Sequence, residues 1–175
     1  GSPNLGWVDY AQPSPDGKHY YVSLWGRSGI AVFDHGQSSL TLKNILYNGS
    51  AGLSELVAPT EIAFSQDGTR AFVGSGTSGG SVHSFARDPG TGLLSMIDSH
   101  AEPAWTPREI AVTPSGDYLF VIQYFGKEIY TFNTGETGNL VNPTVTSLAD
   151  FNGSLLGIMV SPDGKYLYAN SYTDD

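Results

Sequence analysis

Arg108 and Glu109 stand side by side in the segment Thr106-Pro107-Arg108-Glu109-Ile110-Ala111. A guanidinium can hold the negative charge that develops on an oxygen, and a carboxylate beside it can orient a water and take its proton. A second glutamate opens the comparable segment Glu61-Ile62-Ala63-Phe64. The two carboxylates can line a channel and hold water or a cation, or they can pair with Arg108 and do nothing else. The histidines His19, His35, His83 and His100 share no spacing suited to a metal, so no metal site is expected. The absence of cysteine removes disulfides, thiolate chemistry, zinc fingers and c-type haem attachment together. Asp34-His35 lies near Ser38 and Ser39, yet no Gly-x-Ser-x-Gly elbow presents a nucleophile. The run Gly74 to Gly80 is glycine-rich but lacks the Lys and helix of a phosphate loop, and reads as a flexible loop. No cofactor motif is found, and none is expected.

The elements that position these residues come from a repeat. Ser14-Pro15-Asp16-Gly17 recurs as Ser65-Gln66-Asp67-Gly68, Thr113-Pro114-Ser115-Gly116 and Ser161-Pro162-Asp163-Gly164, with glycines 51, 48 and 48 residues apart. A period near fifty residues is that of propeller blades. Short apolar runs precede the turn: Glu61–Phe64, Glu109–Val112 and Gly157–Val160. Aromatic and β-branched runs follow it: His19–Val22, Arg70–Val73, Tyr118–Val121 and Tyr166–Ala169. Two such runs about a tight Gly-containing turn make a hairpin. A third strand is predicted at Ile30–Phe33, Ser81–Phe85 and Glu128–Phe132, and a fourth from Leu93 and its equivalents. Four antiparallel strands repeated radially form a blade. The expectation is an all-β β-propeller of about three and a half four-stranded blades, at about 5–54, 55–103 and 104–152 with a half blade at 153–175. A β-solenoid or a sandwich is the alternative, although solenoid coils are shorter and a sandwich needs no such period.

On this scaffold the regular turns occupy one face and the variable loops the other, where function concentrates. Eight residues beyond each repeat glycine stand Trp25, Gly76, Tyr124 and Tyr172. With Arg27, Trp105, Arg108 and Lys127 nearby, these aromatics can stack on sugar rings or clamp an anionic ligand. They can equally wedge between blades, which must bury their faces against each other. Arg108 stands where the other blades carry Asp9, Thr60 and Leu156, so it is no repeat-wide packing residue.

The formal net charge of −9 argues against nucleic acid as a partner. No run is apolar enough to span a membrane. Gly1-Ser2 reads as the scar of a cleaved tag, and the half blade at the other end suggests a longer polypeptide, a proteolytic fragment or a ring completed by further chains. Asn48-Gly49-Ser50 and Asn152-Gly153-Ser154 fit the glycosylation sequon and equally fit turns.

The run Ser161-Pro162-Asp163-Gly164-Lys165 followed by Tyr166-Leu167-Tyr168-Ala169 resembles the seven-bladed lactonase-like propellers. These include the 6-phosphogluconolactonase and carboxymuconate cyclase types and the repeats named for a Tyr-Val-Thr-Asn signature. Val82 to Leu94 is similar to the third strand and turn of such repeats, and Asn48 to Leu53 with Pro59 to Ala63 looks like the inter-blade link of secreted bacterial versions. The resemblance covers essentially the whole chain and implies a ring about twice as long. It also implies an Arg and a His near the channel mouth, in a Gly-Pro-Arg-His-type segment. Arg108 takes the place of that Arg, Glu109 replaces the His, and Gln123-Tyr124 fill the region where an acidic residue is often carried.

Two functions follow as expectations. One is a secreted, extracellular or periplasmic, non-catalytic module that binds a protein or carbohydrate partner, or the remainder of its own propeller, through Trp25, Arg27, Trp105, Tyr124, Lys127 and Tyr172. The other is a lactone hydrolase or cyclase in which Arg108 stabilises the oxyanion and Glu109 acts as base.

Overall fold

The computed structural model describes residues 4–50, 52–76, 79–124, 126–141, 143–148 and 153–172. Among them the chain runs through antiparallel meanders, each a separate sheet. The first holds β1 (Ala11–Pro13), β2 (His19–Leu24), β3 (Gly29–His35) and β4 (Leu40–Tyr47). The second holds β5 (Pro59–Phe64), β6 (Arg70–Ser75), β7 (Ser81–Arg87) and β8 (Leu94–Ala101). The third holds β9 (Pro107–Val112), β10 (Tyr118–Gln123), β11 (Glu128–Asn133) and β12 (Thr144–Ser147). The fourth pairs β13 (Ser154–Val160) with β14 (Leu167–Tyr172). This is a partial β-propeller, with the blades in chain order.

The repeated motif closes the first hairpin of every blade by local bonds. Each turn glycine has a left-handed φ of 68° to 78°, a region that residues with a Cβ avoid. Its N–H donates to the carbonyl three residues back, as from Gly17 to Ser14 at 2.9 Å and from Gly116 to Thr113 at 2.8 Å. The leading hydroxyl then serves twice. Ser14 Oγ donates to Asp16 at 2.6 Å and accepts from the His19 N–H at 3.0 Å. The same pair of bonds recurs at Ser65 and Ser161. A Ser or Thr at this position therefore satisfies the first amide of the second strand, which would otherwise stop short of a partner.

The core lies between blades. Along β6 the side chains alternate, as period two requires. Ala71 and Val73 pack with Tyr21, Ile30 and Val32 of the first blade, while Phe72 packs with Leu119, Val121 and Phe132 of the third. Ala111, Ile122 and Ile129 meet Leu155 and Ile158 of the fourth sheet in the same manner. Each face thus depends on the neighbour's face for its burial. On the outer strand β14, Tyr168 and Tyr172 are more than half exposed.

At the turn end two arginines of the second blade hold both neighbours. Arg87, fully buried, donates to the Tyr21 hydroxyl at 2.7 Å, the Gly68 carbonyl at 2.9 Å, the Asp16 carboxylate at 3.0 and 3.1 Å and His19 Nδ1 at 2.8 Å. Arg70 reaches the other way, to the carbonyls of Ser115 at 2.9 Å and of Gly135. Desolvation is the largest single influence on Asp16 and opposes its ionisation, but the bonds it accepts together outweigh it. The bonds from Ser14, the Lys18 N–H and Arg87 hold it down to about 2.

The link between the first two blades is pinned from inside. Asn48 Oδ1 accepts from the Leu56 N–H at 3.2 Å, so one sequon asparagine has its amide oxygen engaged in the link. The other, Asn152, lies outside the described residues. The hydroxyls of Ser75 and Ser81 both donate to the Glu55 carbonyl, and His83 Nε2 lies 2.8 Å from Ser81 Oγ. Burial pushes the fully enclosed His83 ring down to about 4. The glycine-rich run is correspondingly less of a loop than its composition suggests. Gly74 and Ser75 complete β6, the Gly80 N–H donates to the Trp105 carbonyl at 2.8 Å, and Thr77 and Ser78 lie outside the described residues.

Candidate functional site

The innermost strands β5 and β9 begin at the end of the molecule opposite the repeat turns, where β2, β6 and β10 finish. A cleft of about 520 Å3 opens there. Two adjacent repeat positions supply much of its wall. Tyr10, Glu61 and Glu109 each stand four residues before the hydroxyl that begins the turn motif, and Asp9, Thr60 and Arg108 stand one residue earlier. Trp25, Gly76 and Tyr124, from the strand ends, complete the opposite side.

Bonds between neighbouring inner strands set these side chains. Thr60 Oγ1 donates to the Pro107 carbonyl at 3.2 Å, and the Ile110 N–H donates to Glu61 Oε2 at 2.5 Å. The carboxylate of one blade thus caps the free edge of the next. Gly80 lets the segment carrying Arg108 lie close, since a Cβ there would stand 2.5 Å from Pro107 Cδ. Gln123 braces that segment: its Oε1 accepts from the Thr106 N–H at 3.3 Å, and its Nε2 donates to the Tyr130 hydroxyl at 2.9 Å.

Charge in the cleft is poorly compensated. The Arg108 guanidinium carbon lies 4.8 Å from the centre of the Tyr124 ring, a cation–π contact. Arg108 Nε is 4.0 Å from Glu109 Oε1 and, among the described residues, finds no hydrogen-bond partner. Burial drives Glu61 up to about 8. The Ile110 N–H opposes that rise, and the charge of nearby Glu109 adds to it. Glu109 is also raised by burial, with Arg108 and its bond to Glu61 pulling the other way. Tyr10 is pushed up to about 12 by burial and by the charge and hydrogen bond of Glu61. Tyr10, Glu61 and Glu109 thus line one cleft in which burial raises all three. Among the described residues, no group of three or more His, Cys, Asp or Glu is placed to hold a metal ion.

The structure brings Arg108, Glu109, Trp25 and Tyr124 into this one cleft. It sets the other singled-out residues elsewhere. Trp105 is buried and does not line the cleft, with ring centres 4.8 Å from Tyr130 and 5.3 Å from His100. Arg27 is exposed and lies along Gly6, Lys127 is exposed just before β11, and Tyr172 ends β14. Tyr10 escaped notice because it stands just before β1, a strand of three residues that shows no alternation. Counting four back from Ser14 finds it.

A family model described as lactonase, 7-bladed beta-propeller, matches residues 12–104, just over half of the chain. The chain belongs to the lactonase family of seven-bladed β-propellers. Among solved structures, this lactonase-family propeller is similar to a periplasmic gluconolactonase of Pseudomonas aeruginosa, with TM-score 0.70 and 22% identity over 83% of this chain and 41% of that one. A candidate 6-phosphogluconolactonase from Bacteroides uniformis matches with TM-score 0.70 and 20% identity, over 84% of this chain and 42% of that one. The Cps50 (Swd1) propeller domain of Myceliophteria thermophila matches with TM-score 0.74 and 13% identity, over 94% and 50%. The lactonase-family propeller therefore spans about two fifths of the length of the first two. No curated protein matches it. No helix among its described residues is long and apolar enough to cross a membrane.

Proposed function

We propose that the cleft hydrolyses a lactone, the ring ester of a hydroxy acid. The observation that carries this reading is the convergence of Arg108 with the carboxyl groups of Glu61 and Glu109 on one cleft. The Arg108 guanidinium, stacked on Tyr124 and with its Nε lacking a hydrogen bond among the described residues, stabilises negative charge on the carbonyl oxygen. Glu109 takes a proton from water as the water adds to the carbonyl carbon. The ring carbon–oxygen bond then breaks to give a hydroxy acid. Trp25 and Tyr124 offer flat faces to a sugar-derived ring. The lactonase relatives support the reaction class, and the Glu at position 109 makes a carboxylate the base where the family resemblance implies a histidine. Arg108→Ala is expected to cut lactone hydrolysis by about 10²–10³-fold while the far-ultraviolet circular dichroism stays that of the parent. Unchanged hydrolysis would remove Arg108 from this role.

A second reading, a non-catalytic module for a glycan or protein partner, rests on the aromatic residues Trp25 and Tyr124 in the same cleft. In either case the remainder of a seven-bladed ring is the natural partner for the exposed strand β14, and a secreted or periplasmic location accords with the likeness to a periplasmic gluconolactonase.

A further inference from the structure

Resting on the hydrolytic reading, we propose that Gln123 and Tyr130 are positioning residues for the Arg108 guanidinium. A one-way chain of hydrogen bonds, from Glu128 to the Thr106 N–H, fixes the bulge that carries it. Between β9 and β10, Glu109 pairs with Ile122 and Pro107 with Gln123, so Arg108 is left without a partner between them. Such a bulge re-aims the side chain of the extra residue. The same irregularity recurs at Leu156, where Leu155 pairs with Ser171 and Gly157 with Asn170, and between Pro59 and Ile62 of β5. The bulge therefore belongs to the repeat. The third blade puts an arginine on it where the others have Asp9, Thr60 and Leu156.

The same blade departs from the repeat at a second place. Seven residues beyond its turn glycine stands Gln123, where the others have Leu24, Ser75 and Ser171. A side chain able to bridge thus occurs in the blade that carries the arginine. The pairs Val121 with Tyr130 and Ile122 with Ile129 put Gln123 on the sheet face of Tyr130 and Glu128. Glu128 Oε2 accepts from the Tyr130 hydroxyl at 2.8 Å, and that hydroxyl accepts from Gln123 Nε2 at 2.9 Å. Gln123 Oε1 in turn accepts from the Thr106 N–H at 3.3 Å. A backbone N–H only donates and a carboxylate only accepts, so neither the amide nor the hydroxyl between them can turn round without losing its bonds. The Thr106 carbonyl also accepts from the Tyr124 N–H at 3.0 Å. One residue thus ties the bulge that bears the guanidinium to the ring it stacks on, 4.8 Å away. No member of the chain touches the reacting atoms; it acts through Arg108.

The test measures kcat and KM for glucono-lactone in the parent, in Gln123→Met, Tyr130→Phe and Arg108→Ala, and in the double variant of Gln123→Met with Arg108→Ala. Gln123→Met, close in size but unable to make either bond, should lower kcat by about 10- to 100-fold with KM little changed. A guanidinium displaced by about an ångström loses the developing charge rather than the bound substrate. Tyr130→Phe should lower kcat by about five-fold, the worth of one ordinary hydrogen bond. The double variant should match Arg108→Ala within about two-fold, because a residue that acts only through the guanidinium then has nothing left to position. A brace that serves the fold alone would add its loss to that of Arg108→Ala. Parent-like kcat in Gln123→Met, or a loss that adds in full, overturns the positioning role. If Gln123→Met does not fold, Tyr130→Phe, alone and combined with Arg108→Ala, decides the question by the same readout. A folded parent that hydrolyses no lactone overturns the hydrolytic reading and this role with it, and is thereby distinguished from the failure of positioning alone.

Discussion

Arg87 and Arg108 sit at opposite ends of the same blade stack, and their surroundings differ in kind. Arg87 is wholly buried and spends its donors on a carboxylate, a hydroxyl, a carbonyl and an imidazole, all at 2.7 to 3.1 Å. Arg108 lies on the face of Tyr124 with its Nε unpaired among the described residues and its nearest carboxylate at 4.0 Å. The carboxyl groups follow suit. Asp16, at the turn end, is held down to about 2, while Glu61, in the cleft, is pushed up to about 8. A saturated network stabilises a joint. An unsaturated one, kept at a cost in stability, is what a ligand completes.

The largest effect expected from breaking this contrast is at the turn end. Arg87→Met takes a donor from Asp16, His19 and the Tyr21 hydroxyl at once, and removal of one partner from a buried ionic network costs about 3–5 kcal/mol. Urea denaturation should register that loss; a change under about 1 kcal/mol would mean that the joint does not rely on the arginine. The cleft arginine should behave the other way. Arg108→Ala is expected to lower lactone hydrolysis by about 10²–10³-fold, yet to move the unfolding free energy by only about 0.5 kcal/mol.

The pH dependence of stability sharpens the comparison. Glu61 titrates higher folded, at about 8, than its reference value of 4.5. Its contribution is whole below that reference value and is lost as pH rises through about 8. His83 works in the opposite sense: buried down to about 4 from 6.5, it contributes above 6.5, and that contribution is lost as pH falls through about 4. Glu61→Gln should therefore flatten the alkaline decline of thermal stability and leave the acid side as it was. A parent-like decline in that variant would assign it to other groups. The smallest expected effect is on ligand contact. Trp25→Ala should weaken binding of a sugar-like ligand by a few-fold, about 0.5–1.5 kcal/mol for one aromatic contact, as titration calorimetry can measure.

Much of the fold was legible because its determinants are local. A glycine that needs positive φ and a hydroxyl two bonds from its partners mark each hairpin within five residues, and the alternation along β6 announces its two packing faces. The cleft was legible in part for the same reason. Counting from the repeat glycine led to Trp25, Tyr124 and Arg108. The roles of Arg87 and Arg70 were not legible. Arg87 finds Asp16 at 71 residues' separation, and nothing in its own neighbourhood signals that contact. Trp105 illustrates the same limit. It falls in a link outside the periodic strands, and its burial is decided by Tyr130, Phe132 and His100 on other strands.

The self-contained turn has a bearing on ancestry. Since the hydroxyl, carboxylate and glycine that close a hairpin all lie within it, a duplicated stretch of the gene carries a finished folding instruction to its new place. Only the joints must then be retuned, and they are where the copies have diverged: arginines at one seam, glutamates, a tyrosine or a glycine at the other. Drift within the copies could in this way furnish a catalytic pair without disturbing the plan that built them.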